Sequence, residues 1–174
     1  MHNSRHVSDE LSGWFAGRLP AGWFVEPPEV SADREEILVV GVLSEPELAK
    51  DAAPEAVGAA RAARIDGFRE DTRGLRMRIA DEAQGRFGRR VSWGARCGDL
   101  SKLFTTVSVP AMTRLRMPER RVLDTLVDAG VARSRSHALA WCVRLVSEKQ
   151  DDWLKDLRQA LTEVEKVRSE GPKT

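Results

Sequence analysis

Arg114 and Arg116 alternate with Thr113, Leu115 and Met117 in the stretch MTRLRMP, and the run stops at Pro118. This period-2 alternation predicts a half-buried strand over 112–117 with arginines alone on its wet face. The chemistry of such a face is recognition rather than bond making. A guanidinium is a rigid fork of donors with a permanent charge, suited to planar or anionic acceptors. On an ordinary edge strand the same charges would serve only to block aggregation. A second basic cluster, Arg133, Ser134, Arg135 and Ser136, stands just ahead of an apolar helical pattern.

The other reactive residue types lack the spacing that chemistry needs. His2, His6 and His137 are scattered, with no second ligand at helical spacing, so no metal site is expected. Cys97 and Cys142 offer neither a metal pattern nor a disulfide framework, and read as buried thiols in a reducing compartment. Cys97 lies near Arg96 and Asp99 but has no committed base that would make it a nucleophile. Asp33, Glu35 and Glu36 belong to a polar turn rather than an acid–base pair. The chain has no GxGxxG, P-loop or GxSxG motif. We therefore expect no cofactor and no enzymatic activity. Trp14, Trp23, Trp93, Trp141 and Trp153 are spread along the chain as core or interface anchors.

The elements that must position the arginines follow from patterning. The chain has 174 residues, is 41% hydrophobic and 32% charged, and carries a net charge of only +1. Its charge is uneven. Residues 1–50 hold 4 Lys/Arg and 9 Asp/Glu, whereas residues 111–146 hold 7 and 3. Such asymmetry can mark a nucleic-acid surface. Residues 9–19 suit a short helix, and EEILVVGVL a strand with WFVEPPEV as a weaker partner across an SADR turn. Apolar residues step by three or four from Ile65 to Phe87, which predicts one long helix from Pro54 to Phe87 closed by Gly88. RRVSWGARCG and LFTTVSVP read as two further strands. The first 110 residues thus form a small α+β layer with helices on one face of a sheet.

Beyond the basic strand, Pro118 and Glu119 open a helix whose stripe is Val122, Leu123, Leu126 and Val127, and Gly130 closes it. A second helix follows, capped by Ser136 or Ser134, with Ala138, Leu139, Cys142, Val143 and Val146 apolar. A last helix carries Trp153, Leu157, Ala160 or Leu161, Val164 and Val167, and Gly171-Pro172 stops it. It is either a packed helix or a short coiled-coil-like dimer helix. One strand and two short helices cannot stand alone. The 112–117 strand must pair inside the chain with LFTTVSVP, or with its own copy in a dimer.

Residues 112–146, with the alternating TRLRMP, the Pro-Glu helix start, the Gly-containing turn and SRSHALAWCVRLV, resemble the ribbon-helix-helix DNA-binding family. In that family two strands pair antiparallel across a dimer and enter the major groove. The resemblance implies that Arg114 and Arg116, with Met112, contact bases. It implies that Arg133, Ser134, Arg135 and Ser136 hold a phosphate. It also implies a dimer core of Leu115, Met117, Leu123, Leu126, Leu139 and Val143. The physics agrees: arginine is the best reader of guanine, and a helix N-terminus is an anion site. This sequence departs from the family in placing 110 residues ahead of the strand, and in having His137 where members often carry an acid.

The expectation is an α+β protein in three parts: an α+β domain at 1–110, a ribbon-helix-helix-like unit at 111–146, and a C-terminal helix and tail at 147–174. The expected function is that of a dimeric DNA-binding protein, a transcriptional regulator. The alternative is a non-enzymatic interaction or dimerisation module whose basic strand is a solvated edge. Partners would be double-stranded DNA, a second copy, and a protein or ligand at the N-terminal domain. With no apolar leader at the start and no run near 18 apolar residues, a cytoplasmic chain without membrane contact is expected.

Overall fold

The computed structural model describes residues 4–49 and 51–170. Its elements are, in order, α1 (Ser4–Arg18), β1 (Glu29–Ala32), β2 (Glu36–Val42), α2 (Pro54–Asp71), α3 (Arg73–Phe87), β3 (Arg90–Cys97), β4 (Leu100–Leu103), α4 (Met117–Asp128), α5 (Arg135–Lys149) and α6 (Asp151–Glu170). The class is α+β. The chain divides into two compact units, Met1–Pro110 and Ala111–Thr174, with α4, α5 and α6 all in the second. His2 and the Gly171-Pro172 stop lie outside the described residues.

The first unit is built on the alternation in β2. Ile37 and Val39 are buried, and Leu38, Val40 and Val42 are half-buried on the other face. β2 pairs antiparallel with β1 (Val30 opposite Val39) and parallel with β3 (Val39 beside Trp93). β3 turns at Gly98, φ 58°, into antiparallel β4, giving the order β1-β2-β3-β4. The parallel pair needs a crossover, which α2 and α3 supply. Leu11 and Phe15 of α1 and Ile79 and Ala83 of α3 close over Ile37, Val39 and Trp93. Ile65 of α2 closes over Leu43, Ala95 and Cys97. Each of the larger apolar side chains gains about 1.5–3 kcal/mol on full burial. Gly41 is required on that face, because a Cβ there would collide with the Phe24 ring.

Several sequence expectations are corrected. The predicted helix from Pro54 to Phe87 is two helices broken at Thr72. The Thr72 hydroxyl donates back to the Phe68 carbonyl at 2.5 Å, a bond that bends helices. Arg76 consolidates the break: Nε donates to Thr72 Oγ1 at 2.9 Å and Nη2 to the Arg69 carbonyl at 2.6 Å. Its guanidinium is buried 4.8 Å from the centre of the Phe104 ring. Burial first, then the charges of Arg69 and Arg73, pulls its pKa below the usual arginine value.

The expected strand LFTTVSVP is also absent. β4 ends at Leu103, Phe104 makes one more backbone bond to Trp93, and then the Thr105 hydroxyl takes the Trp93 N–H at 3.3 Å. A side chain has replaced the next carbonyl, so the ladder ends. Residues 23–28 are not a strand either: ahead of Pro27 and Pro28 the Val25 N–H still donates to the Val42 carbonyl at 2.9 Å, but the strand itself is Glu29–Ala32. The turn is narrower than SADR, and Asp33 Oδ1 brackets it by accepting from the N–H groups of Glu35 and Glu36, both at 2.8 Å. Finally, the expected strand over 112–117 is not formed among the described residues: 111–116 are extended but belong to no sheet, and Met117 is already part of α4.

Candidate nucleic-acid interface

The helical hairpin of the second unit is fixed by its turn. The Leu126 carbonyl accepts from both Val131 and Ala132 at 3.0 Å, and Gly130 takes the positive φ of 74° that this reversal needs. Ala132 then enters a small core with Leu123 of α4 and Ala138 of α5. The cap of α5 is Ser134, in extended conformation, whose Oγ accepts from His137 N at 3.2 Å. Ser136 therefore lies inside the first turn, exposed. The Arg133 N–H donates to His137 Nδ1 at 3.3 Å, which leaves the exposed Arg133 side chain to solvent.

Arg135 is engaged. Its Nε and Nη2 grip Asp124 Oδ1 and Oδ2 at 2.6 and 2.8 Å. This hydrogen bond to Arg135 holds the Asp124 carboxyl below the usual carboxylate range. The same pairing raises the pKa of Arg135. The fork ties α4 to the start of α5 and sets the direction of the guanidinium. Asp124 was not among the residues singled out from sequence, because its partner is eleven positions away across a turn.

The segment ahead of α4 is extended, with φ −82° and ψ 174° at Arg116. Its only inward side chain is Leu115, half-buried against the hairpin core. Met112, Thr113, Arg114 and Arg116 are exposed. Arg120 of α4 pins the segment by donating from Nη1 to the Leu115 carbonyl at 2.8 Å. Arg120 too escaped the sequence reading, since an arginine on a helix face carries no local sign of that contact.

Of the six residues expected in a dimer core, Leu123 is buried, and Leu115, Leu126 and Leu139 are half-buried. Met117 and Val143 remain 54% and 64% exposed in the single chain. Val122 and Val146 are exposed as well. This unit thus carries exposed basic side chains at 114, 116, 133 and 135, and large apolar side chains that it does not cover itself.

Elsewhere, Cys97 is buried with its Sγ 3.7 Å from the Ser44 carbonyl, and burial pushes its thiol pKa up, the opposite of what a nucleophile needs. Among the described residues no three His, Cys, Asp or Glu side chains converge on a metal-sized site. No helix among them is long and apolar enough to cross a membrane.

The fold is thus that of a two-unit α+β protein, and comparison with known proteins divides it in the same region. The chain belongs to the family described as Rv1265-like protein, N-terminal domain, which matches residues 9–103. A second family, described as Mb1296 C-terminal domain, matches residues 116–168. The chain is 57% identical over 160 residues to uncharacterized protein Mb1296 of Mycobacterium bovis, covering 91% of this chain and 69% of that protein. The identity and coverage are the same for uncharacterized protein Rv1265 of Mycobacterium tuberculosis. No solved structure matches.

Proposed function

We propose that this chain is a cytoplasmic, homodimeric DNA-binding protein of the ribbon-helix-helix type, acting as a transcriptional regulator rather than an enzyme. The observation that carries the reading is the unpaired extended segment 111–116. It turns Leu115 inward and Arg114 and Arg116 outward, beside a hairpin that leaves Met117 and Val143 uncovered. An unpaired strand is not stable in water, and the same segment from a second copy supplies both the missing ladder and the missing apolar cover.

In the paired ribbon, Arg114 and Arg116 of both copies face the major groove and meet guanine O6 and N7, with Met112 at the margin. Arg133, the α5 N-terminus with Ser134 and Ser136, and the free Nη1 of Arg135 contact phosphate. Asp124 fixes Arg135 so that less ordering is needed when DNA arrives. The N-terminal unit serves as a support or as a contact for a protein or ligand.

The test is a binding titration over a range of salt with a selected DNA site and a scrambled one. Replacing Arg114 or Arg116 by Ala should lower affinity for the selected site about tenfold or more while leaving scrambled DNA nearly unchanged. Replacing Arg133 should weaken both equally and flatten the salt dependence. Strand mutants that keep the wild-type preference would sink the groove assignment.

A further inference from the structure

α6 leaves an apolar stripe in water along its whole described length. Trp153, Leu157, Leu161, Val164 and Val167 are 55, 42, 61, 54 and 69% exposed. Their steps of four, four, three and three average about 3.5 residues, so all five fall within about 120° of the helix surface, with Ala160 between them. A stripe of that period is the seam of a two-stranded coiled coil. Such a seam on a 20-residue helix runs for about 30 Å.

The charges beside the stripe select the partner and its direction. Asp152, Asp156 and Glu163 line one flank; Leu161 forms the opposite edge of the stripe, with half-buried Leu154 and then Arg158 beyond it. In an antiparallel pair like flanks meet, which would set Asp156 and Glu163 against the same carboxylates of the second helix. In a parallel pair each acidic flank faces the opposite flank of its neighbour, where Leu154 and Leu161 extend the apolar seam. Like charges across a coiled-coil seam are the usual device for rejecting one orientation.

We propose that α6 pairs with α6 of a second copy as a parallel, in-register two-stranded coiled coil, a dimer contact separate from the 111–117 ribbon. It rests on the homodimer of the proposed function, but not on DNA binding.

The test uses the full chain carrying Cys142→Ala and Val164→Cys, the remaining Cys97 being fully buried. In the parallel register position 164 faces itself, so mild oxidation should convert nearly all of the protein to a disulfide-linked dimer. The same background with Lys155→Cys, on the solvent side, should not crosslink. In a reduced, cysteine-unaltered chain, Leu157→Glu with Val164→Glu should weaken dimerisation at least about tenfold by sedimentation. A dimer by mass whose position 164 does not crosslink would overturn the parallel pair while leaving the DNA reading intact. A crosslinked dimer that binds no DNA would sink the DNA reading and leave this one standing. A protein monomeric by mass at all concentrations would remove both.

Discussion

The two units treat their apolar residues in opposite ways. In the first, Leu11, Phe15, Ile37, Val39, Ile65 and Ile79 are at most 1% exposed, and two clusters close around them without help. In the second, Leu123, Ala132 and Ala138 alone are buried among the described residues, and none of them is a large aromatic. From Met112 to Val167 the second unit holds most of the exposed large apolar side chains. The first unit covers its largest apolar side chains with its own elements, whereas the second leaves most of its own in water.

The largest effect is expected at Phe15, at the centre of the first unit's core. Phe15→Ala should cost about 3–5 kcal/mol, read from urea unfolding followed by tryptophan fluorescence. The midpoint should not depend on protein concentration. A midpoint that shifts with dilution would mean that the first unit also borrows stability from a partner. In the second unit the dependence should be the reverse. Dilution through the dimer dissociation constant should lower the helical circular dichroism of the α4–α6 fragment, since mass action stabilises only what associates.

A smaller effect sharpens the picture of the closed core. Gly41→Ala should destabilise the first unit by about 1–3 kcal/mol, because Phe24 must move aside in a packed interior. The same change at Gly58, where a Cβ meets nothing, should be neutral or slightly stabilising. Equal effects at the two sites would show that Phe24 yields freely. The smallest effect is electrostatic. The N–H groups of Glu35 and Glu36 depress the pKa of Asp33. Its contribution is therefore complete above the ordinary carboxylate range, and is lost as pH falls through that range to its own lower value. Asp33→Asn should make acid unfolding of the first unit slightly less steep in that window.

What could be read from sequence was whatever depends on local period. Ile37 and Val39 in β2, Leu11 and Phe15 in α1, and the Gly130 reversal all carry their signal within a few residues. The break at Thr72 was invisible because the apolar steps from Ile65 to Ala83 run straight through it. What bends the chain is a hydroxyl bonded four residues back, and a buried arginine that no periodicity reports. LFTTVSVP has every preference of a strand, yet Thr105 offers its side chain where a carbonyl should be. Between Ser134 and Ser136 residue type could not choose the cap, since either hydroxyl would serve. The outward arginines of 112–116 were legible. The two contacts that steady them, Arg120 to Leu115 and Arg135 to Asp124, were not, because each joins groups brought together only by the turn of the chain.

The parallel pairing of β2 with β3 also sets an order of events in time. The β3–β4 hairpin closes over a single turn and can form as soon as it is made. Val39 meets Trp93 only after about fifty further residues of chain have emerged. During synthesis β2 already has β1 beside it and α1 to pack on, but its other edge waits unpaired until α2, α3 and β3 have been laid down. The length of that crossover sets how long the nascent sheet stays open to the wrong neighbour.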